Sequence, residues 1–410
     1  MNLATERVSQ RLEFLASISD FPDCISRFYG TPAFTEAGKL IAKWMSEAGL
    51  HVTTDCVGNI RGALNSKDSS AKHFVVGSHH DSVHNAGKYD GPLGILIGLE
   101  MAIHVHEHSI ELPFHLTIVA FADEEGARFN TSYLGSSVLA GNFQEEWLSL
   151  KDDSDKTLKQ VVKECGGNVS EIPSHAIPKE DWLGYYEVHI EQGPVLENRE
   201  LSVCAVTGIA AQQRIQLTWD GTSGHAGTCP MNLREDAYCG AAEFALAVEK
   251  LALQHKDKLV ATVGKLRLFP NTPNVIPDKV IHTLDIRSSD DSFLDKMIVQ
   301  LESESSQIAS NRRLGLTWTL QQSNPSVKCD NKMNQALSSA IAATGLQAIQ
   351  IPSGAGHDGV MISAVAPIAM LFVRSKDGIS HNPLEFTSEE DIADAIQVSI
   401  HFLEALKQKN

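Results

Sequence analysis

A histidine and an aspartate stand two residues apart in the segment GSHHDSV, which begins where an apolar run ends. The run His73–Ser78 predicts a buried strand. Alternation along an extended chain turns His79 and Asp81 to one side and His80 to the other. A metal-binding histidine is usually oriented by a carboxylate on its second ring nitrogen, and Asp81 is placed to act in this way. A solvated turn would also account for the pair.

Carboxylates stand at two comparable positions. Asp90, in KYDGP, directly precedes a predicted helix, where a carboxylate either caps the helix or bridges two cations. Glu124 and Glu125 follow an apolar strand, and adjacent carboxylates repel each other unless a positive group compensates them. On a helix surface they would form an ordinary charged patch. At a strand end, one can bind a metal while the other acts as a general base.

Two further histidines lie near predicted strand ends. His189 occurs in EVHIEQGP, where alternation places Glu191 on the same side, and His381 occurs in GISHNP. Either histidine alone is more typical of a structural or loop position than of a ligand. Together, five residues predict a two-metal centre with Glu124 as an uncoordinated base: His79, Asp90, Glu125, His189 and His381. Three imidazoles and two carboxylates, one of them bridging, suit Zn²⁺ or Mn²⁺, and paired ions activate water and polarise a carbonyl.

The residues between these motifs predict the elements that position them. Strands and helices alternate along the first part of the chain: Thr35–Leu50 (helix), His73–Ser78 (strand), Gly91–His108 (helix), His115–Ala122 (strand) and Leu134–Ala140 (helix). This order predicts a sheet that is covered by helices on both faces. Ligands of such sheets bind beyond the carboxyl ends of the strands, which is where the candidate residues fall.

The pattern changes near residue 210. Alternating segments at Gln212–Trp219, Val280–Ile286 and Leu314–Leu320, with a helix at Ala237–Lys250, predict an antiparallel sheet with helices on one face. From about residue 326 the helix–strand alternation returns, with Ile368–Val373 as a buried strand. We therefore predict an α/β fold. A helix-covered mixed-sheet catalytic domain, residues 1–209 and 326–410, is interrupted by an inserted α+β domain, residues 210–325.

Composition limits the classes of partner. The chain has 410 residues and a formal net charge of −17, so it should repel nucleic acid and anionic membrane surfaces. Its seven cysteines include no CxxC pair, which favours free thiols in a reducing compartment. No basic start precedes an unbroken apolar run at the N-terminus, and no apolar stretch is long enough to span a bilayer. These features predict a cytoplasmic protein with no nucleic-acid or membrane partner.

Eight motifs, in this order, carry a family resemblance: GSHHDSV, GKYDGPLG, DEEGARF, HIEQGP, GTSGHAGTCPM, PNTPNVIP, SGAGHDG and GISHNP. They closely resemble those of the hydantoinase/carbamoylase-type amidases of the M20 metallopeptidase superfamily, a group that includes N-carbamoyl-L-amino acid hydrolases and allantoate amidohydrolases. The resemblance implies one ion held by His79, Asp90 and His189, and another held by Asp90, Glu125 and His381. It also implies that Asp81 orients His79 and that Glu124 is the catalytic base.

The resemblance gives roles to the inserted domain as well. His225, in GHAG, would stabilise the developing oxyanion in the active site of a partner subunit, although a simple loop histidine fits the same pattern. Gln212, Asn274 and Arg287 would bind substrate. Arg287 at a strand end can clamp a carboxylate through two parallel hydrogen bonds, or it can pair with a neighbouring aspartate, Asp285 or Asp290. We therefore expect a homodimer in which the inserted domain acts as a lid and dimerisation domain.

The implied activity is cleavage of a ureido or carbamoyl C–N bond in a small carboxylate substrate, with release of ammonia and carbon dioxide. N-carbamoyl-L-amino acids and allantoate both fit, and Zn²⁺, Mn²⁺, Co²⁺ or Ni²⁺ could serve as the two ions per subunit. One alternative is an aminoacylase or dipeptidase of the same superfamily, but peptidase relatives usually place an acidic ligand where this chain has His189. The other is a non-catalytic homologue, which the complete set of ligands and Glu124 disfavours.

Three residues depart from the family pattern. His80 stands where an aliphatic residue is usual, Gln213 where arginine is frequent, and Cys229 where threonine is usual. The departures at Gln213 and Cys229 could shift substrate preference without affecting the metals. His357 and Asp358 agree with the family pattern, and for them we expect a hydrogen bond that fixes a loop.

Overall fold

The computed structural model describes residues 3–408. Its contacts divide the chain into two compact units. The first comprises the residues up to Thr207 together with those from Lys328 onward, and the second comprises Gly208–Val327. Within the described range, no helix has the length and apolar character needed to cross a membrane.

The chain forms eleven α-helices and thirteen strands in the described range. The helices are α1 (Leu3–Ala16), α2 (Pro32–Glu47), α3 (Pro92–Glu107), α4 (Leu134–Ala140), α5 (Leu158–Glu164), α6 (Val195–Asn198), α7 (Ala237–Gln254), α8 (Asp291–Arg312), α9 (Asn331–Ala343), α10 (Gly359–Ile362) and α11 (Glu389–Lys407). The strands are β1 (His51–Thr54), β2 (Ile60–Leu64), β3 (His73–His79), β4 (His115–Phe121), β5 (Trp182–Ile190), β6 (Val203–Ile209), β7 (Ala211–Asp220), β8 (Val260–Phe269), β9 (Lys279–Ser288), β10 (Gly315–Asn324), β11 (Val327–Lys328), β12 (Gln350–Ser353) and β13 (Ile368–Val373).

A nine-stranded mixed sheet organises the first unit, in the order β1-β2-β4-β3-β5-β13-β6-β11, with β12 paired to β6. Its centre is parallel, because β3 pairs in parallel with both β4 and β5, and β13 pairs in parallel with β5. β4 and β13 are buried along their whole length, as expected of parallel strands that are covered on both faces. The carboxyl ends of four central strands therefore lie along one edge.

Helix α3 is apolar on nearly all of its faces, and 13 of its 16 residues are buried. Such a helix is stable only inside a protein, and here it packs on the central strands β3, β4 and β5. Gly91 precedes it with a φ of 83°, and Pro92 takes the first helical position, where its missing N–H costs nothing. This entry places Asp90 at the carboxyl edge of the sheet.

The second unit is built on a four-stranded antiparallel sheet in the order β10-β7-β9-β8. Ile215, Leu217 and Trp219 of β7 point to one face, where they share a hydrophobic core with residues of α7 and α8 such as Phe244 and Leu301. Apart from Ile281, the alternate residues of β7 and β9 are polar, and they lie on the face opposite the helices. The predicted fold class, an α/β unit with an inserted α+β unit, is confirmed.

Candidate metal centre

The carboxyl edge of the parallel strands brings together the residues that the motifs singled out. His79 ends β3, His189 is the next-to-last residue of β5, and Glu124 and Glu125 follow β4. His381 lies in the loop after β13, and Asp90 stands directly before the entry to α3. Because parallel strands end at the same edge, residues far apart in sequence become neighbours here.

Asp90 lies at the centre of this group. Its Oδ1 is 3.4 Å from Nε2 of His79 and 3.1 Å from Nε2 of His189. Its Oδ2 is 3.2 Å from Nε2 of His381, which is also 3.2 Å from Oε1 of Glu125. The two oxygens of one carboxylate thus face two separate sets of donors, which is the arrangement that a carboxylate bridging two cations requires.

Three sets of side chains in the described range have ligand atoms that all lie within 4.8 Å of one another. They are His79 with Asp90 and His189, Asp90 with Glu125 and His381, and His79 with Glu124 and Glu125. The first two sets share Asp90 and are the two sets that the family resemblance implies. The third places a carboxylate oxygen of Glu124 within 4.8 Å of ligand atoms of His79 and Glu125.

Backbone carbonyls select the tautomer of two imidazoles. Nδ1 of His79 lies 3.2 Å from the carbonyl oxygen of Asp81, and Nδ1 of His189 lies 3.0 Å from that of Ile190. A carbonyl oxygen can only accept, so each Nδ1 carries a proton, and in the neutral imidazole each Nε2 keeps the lone pair that a cation beside Asp90 would take. Nε2 lone pairs and carboxylate oxygens are the donors that Zn²⁺ and Mn²⁺ accept, and the residues present therefore fit a two-metal centre.

Burial and charge at this site also favour cations. Burial opposes a charge on His79, but its contacts with Asp81 and Asp90 outweigh burial and raise the pKa of this imidazole well above its ordinary value. Burial likewise acts against the ionised form of Asp90, yet His189, His381 and His79 hold the pKa of its carboxyl well below its usual range. Burial, together with neighbouring Glu125, raises the pKa of Glu124 well above its usual value. Carboxylates buried side by side favour a cation among them.

The carboxylate of Asp81 supports the Glu124–Glu125 turn. Its Oδ1 accepts the N–H of Glu124 at 3.1 Å, and its Oδ2 accepts the N–H of Glu125 at 3.2 Å. Its closest carboxylate oxygen lies 3.6 Å from Nδ1 of His79, farther than its own backbone carbonyl. Asp81 therefore contacts the imidazole mainly through its backbone and positions the two glutamates through its side chain.

In the second unit, Asp285 accepts hydrogen bonds from three of its neighbours. Gln212 Nε2 lies 2.6 Å from Oδ2 of Asp285, Arg287 Nε lies 2.8 Å from Oδ1, and the terminal nitrogen of Arg214 lies 3.1 Å from Oδ2. All four side chains lie on the sheet face opposite the helices. Two guanidinium groups and one carboxylate leave this polar cluster with one excess positive charge. Of the alternatives for Arg287, the structure shows the ion pair with Asp285.

The loops that carry His225 and Asn274 are joined by backbone pairing. The N–H of Ala226 donates to the carbonyl oxygen of Asn274 at 3.0 Å, and His225 forms an isolated bridge with Val275. The N–H of Gly227 donates to Nδ1 of His225 at 3.0 Å. A neutral imidazole that accepts at Nδ1 carries its proton on Nε2, so His225 can donate a hydrogen bond from that atom.

Residues 75–405 match the model of the peptidase family M20/M25/M40. The chain belongs to this family. It is 37% identical over 404 residues to the N-carbamoyl-L-amino acid amidohydrolase of Geobacillus stearothermophilus, covering 98% of each chain. It is 35% identical over 428 residues to allantoate deiminase 2 of Glycine max, covering 97% of this chain and 88% of the relative.

Solved structures give the same family. An amidase of the hydantoinase/carbamoylase family from Burkholderia multivorans superposes with a TM-score of 0.87 at 34% identity, covering 97% of each chain. The resemblance to this amidase branch of the M20 family is therefore confirmed. The chain is a metal-dependent hydrolase of C–N bonds other than peptide bonds.

The departures of this M20 chain from the family pattern fall in different places. His80 is buried and stacks on Phe34 with ring centroids 4.3 Å apart, and its Nδ1 lies 2.8 Å from the carbonyl oxygen of Phe121, so it faces away from Asp90. Burial lowers the pKa of His80 to about 4. Gln213 lies on the helix side of its sheet, 3.4 Å from Asp295. Cys229 Sγ lies 3.8 Å from the carbonyl oxygen of Pro230.

The remaining motif residues of this M20 chain lie near the candidate ligands. Nε2 of His357 lies 2.8 Å from the hydroxyl of Ser353, and its ring meets that of His189 edge-on at 4.5 Å. Asp358 is buried, and burial together with the charge of Glu187 raises the pKa of its carboxyl well above the ordinary value. Glu191 accepts the N–H groups of Val195 and Leu196 and so caps α6.

The sequence motifs did not single out three residues that contact Asp90. Gln192 Nε2 and the hydroxyl of Ser380 each lie 2.9 Å from Oδ2 of Asp90. Glu385 accepts the backbone N–H of Asp90 at 3.1 Å, and burial together with the charge of Asp90 raises the pKa of Glu385 to about 7. Ser380 directly precedes His381 in GISHNP, and Gln192 follows His189 by three residues in HIEQGP. This closeness to predicted ligands is the sequence feature that could have identified them.

Proposed function

We propose that this chain hydrolyses the ureido C–N bond of a small carboxylate substrate, either an N-carbamoyl-L-amino acid or allantoate. The observation that carries the proposal is the position of Asp90, whose two oxygens face two donor sets beside Glu124. The names of the relatives from Geobacillus stearothermophilus and Glycine max support this substrate class. An N-carbamoyl amino acid would yield the amino acid, carbon dioxide and ammonia.

The proposed cofactors are two divalent ions per chain. His79, Asp90 and His189 would hold one, and Asp90, Glu125 and His381 would hold the other. Zn²⁺ is best suited to these donors, with Mn²⁺, Co²⁺ or Ni²⁺ as alternatives, and such ions would supply activation of a water molecule and polarisation of the substrate carbonyl.

Glu124 is the proposed general base. It is buried beside His79 and Glu125, where a carboxylate can take a proton from water and later return it to the leaving nitrogen. The hydrogen bonds from the Glu124–Glu125 backbone to Asp81 fix the base relative to His79. In this scheme Glu124 would carry the proton that leaves water on attack to the ureido nitrogen.

The second unit supplies the proposed substrate contacts. His225 donates from Nε2 to the oxyanion that forms when the carbonyl is attacked. Arg287, Gln212 and Asn274 hold the carboxylate of the substrate, for which the excess positive charge around Asp285 is suited. Catalysis therefore depends on residues of both units.

A homodimer is the proposed assembly. β8 is an edge strand of the second sheet, and three of its apolar side chains are exposed: Val260, Leu266 and Phe269. A long edge strand with exposed apolar residues is prone to pair with another chain. A second copy of this chain, paired through the same surface, would cover that edge symmetrically and could present His225 to its partner's active site.

Substituting Glu124→Gln tests the base. The amide keeps the shape of the side chain but cannot take a proton, so we expect kcat to fall by roughly 10²- to 10⁴-fold. Bound metal, counted by elemental analysis, should stay at the wild-type number per chain. The exposed Glu145 provides a matched control, since Glu145→Gln should leave ammonia release unchanged. Near-normal turnover of Glu124→Gln would remove this residue from the base role.

A substrate panel tests the reaction. Ammonia release from N-carbamoyl-L-amino acids and from allantoate should be much faster than hydrolysis of N-acetyl amino acids or dipeptides by the same preparation. Comparing the two ureido substrates decides between them. Preferential cleavage of an N-acetyl amino acid or a dipeptide would overturn the ureido assignment.

A further inference from the structure

We infer that Glu385 is a positioning residue for Asp90: by accepting the hydroxyl proton of Ser380, it leaves Oδ2 of Asp90 open to a cation. The inference rests on the proposed function, which makes Asp90 the shared ligand of two ions. Glu385 does not touch either ion in this scheme. It acts through the direction of one hydrogen bond.

The hydroxyl of Ser380 lies between two carboxylates. Its oxygen is 2.9 Å from Oδ2 of Asp90 and 3.1 Å from Oε2 of Glu385, and Nε2 of Gln192 approaches it at 3.1 Å. A hydroxyl has one proton and can donate to only one of the two carboxylates. Which one receives it decides how many hydrogen bonds Asp90 Oδ2 accepts.

Gln192 already supplies one hydrogen bond to Asp90. Its amide nitrogen has two protons, one directed to Oδ2 of Asp90 at 2.9 Å and the other to the hydroxyl oxygen of Ser380. A carboxylate oxygen has two lone pairs, so a second donation from Ser380 would occupy the one that a cation needs. Donation from Ser380 to Glu385 leaves that lone pair free, on the side of His381 and Glu125.

Glu385 is held in place to receive that proton. Its Oε1 accepts the backbone N–H groups of Tyr89 and Asp90 at 2.9 and 3.1 Å, which turns Oε2 toward Ser380. The side chain is buried and packs against Gly87, where a Cβ atom would lie only 2.2 Å from Oε1. The absence of a side chain at Gly87 thus makes room for the carboxylate behind Asp90.

The backbone supports the same interpretation. Gln192 has a φ of 57° and His381 a φ of 53°, both in the left-handed region that residues with side chains seldom adopt. Such conformations persist where the surroundings enforce them, and here both side chains reach Oδ2 of Asp90. The loop geometry therefore serves the orientation of one carboxylate oxygen.

Replacing Glu385 by glutamine gives a sharp test. The N–H groups of Tyr89 and Asp90 require an oxygen at the first position, so the new amide nitrogen would face Ser380 and donate to it. Ser380 would then donate to Asp90 Oδ2 and compete with the cation. We expect Glu385→Gln to weaken binding of one of the two ions by about 10- to 100-fold, the usual range for a residue that supports a metal ligand.

The double variant separates this role from a merely structural one. Ser380→Ala removes the hydroxyl, so it should bind both ions within about threefold of the wild type, and adding it to Glu385→Gln should restore the weakened ion. Ser363→Ala, which removes a half-buried hydroxyl bonded to the Val360 carbonyl, and Glu145→Gln are the matched controls. Loaded proteins are dialysed at pH 8 against graded chelator, and Zn²⁺ per chain is counted by elemental analysis.

The outcomes are distinguishable. Wild-type binding of two ions by Glu385→Gln, or a defect that Ser380→Ala fails to restore, overturns the inference and leaves the proposed function standing. If the wild-type chain itself binds fewer than two ions, or if His189→Ala and His381→Ala lose none, the proposed function fails instead.

Discussion

The carboxylate of Asp90 contacts three imidazoles, and for two of them the contact depends on the proton at the other ring nitrogen, Nδ1. The backbone carbonyls of Asp81 and Ile190 hold protons on Nδ1 of His79 and His189, which leaves both Nε2 atoms available. A backbone carbonyl would fix the Nδ1 proton in the same way if another residue stood at position 81 or 190. The chemistry of the site is therefore set largely by backbone atoms, which residue identities alone do not reveal.

His282, in the second unit, predicts how the stability of the fold changes at acidic pH. It is buried, its Nε2 accepts the indole N–H of Trp219 at 2.9 Å, and burial lowers its pKa to about 4. The unfolded chain takes up the proton near pH 6.5, so stability falls as pH drops from there toward 4. At pH 5 this group should cost about 2 kcal/mol relative to pH 8.

Urea unfolding of the wild type and of His282→Gln at both pH values measures this contribution. Glutamine can still accept the indole N–H but does not titrate, so the variant should lose about 2 kcal/mol less between pH 8 and pH 5. His255→Gln, at a less buried position in the same unit, serves as the control. Equal pH dependence in the wild type and His282→Gln would contradict the assignment.

At the residue scale, the sequence points more readily to the candidate ligands than to the residues that position them. His79, Glu125 and His189 could be found because each follows or ends an apolar run, and such runs meet at one sheet edge. Glu385 could not, because its role depends on which of two acceptors receives one serine proton. The same limit applies to Arg287, since both a free clamp and a pair with Asp285 fit its position in the sequence.

At the scale of elements, the entry to α3 controls the position of His79. Gly91 has a φ of 83°, and a Cβ atom there would lie 2.5 Å from the carbonyl oxygen of His79 and 2.6 Å from its ring. The helix can begin next to the strand end only because this position has no side chain. The turn therefore links the packing of α3 to the position of His79, a proposed metal ligand.

Gly91→Ala should weaken metal binding as well as stability. Gly345 has nearly the same φ, 84°, with nothing within 4 Å of the position of a Cβ atom, so Gly345→Ala is a control for a positive φ without a steric contact. Each variant should lose about 1–3 kcal/mol of unfolding free energy from the positive φ, a backbone conformation that residues with side chains rarely adopt. Only Gly91→Ala should also lose bound Zn²⁺. Equal metal content in the two variants would show that the contact with His79 does not matter.

The antiparallel sheet of the second unit positions the polar cluster around Asp285. We expect Asp285→Asn to raise KM for a ureido carboxylate about tenfold with little change in kcat, because two-point recognition needs Arg287 and Gln212 in fixed orientations. The matched control is Asp295→Asn, on the helix side of the same unit. An analogue with a carboxamide in place of the carboxylate should show no such difference. A fall in kcat with unchanged KM would place Asp285 in a different role.

Elements with a strong apolar pattern were predicted within a few residues. The strand Ile368–Val373 and the helix Leu134–Ala140 have the predicted bounds, whereas the predicted helix Thr35–Leu50 begins at Pro32 and ends at Glu47. The amphipathic pattern was too weak to reveal α8, in which only six of 22 residues are buried. The edge strand β8 was also missed. Its residues are at least partly exposed, so buried and exposed positions do not alternate clearly along it.

For the whole molecule, the proposed dimer makes a prediction that mixing can test. If His225 acts in the partner's active site, a mixed dimer of Glu124→Gln and His225→Ala contains one site with both defects and one with none. Equal mixing with exchange of subunits should therefore restore about a quarter of wild-type activity. Each variant alone provides the baseline. No recovery in verified mixed dimers would show that His225 serves its own chain or that it has no catalytic part.

The alternation along β7 restricts how this lineage can vary in length. Gln212 and Arg214 face away from the helices, whereas Ile215 and Leu217 enter the core, so inserting or deleting one residue within the strand would exchange the two sets. Point substitutions leave the alternation of the two faces intact. A one-residue insertion, by contrast, would turn Arg214 toward the core or Leu217 away from it, depending on where it falls. Length differences among descendants of this chain should accordingly accumulate in its turns, while Ala211–Asp220 keeps its ten residues.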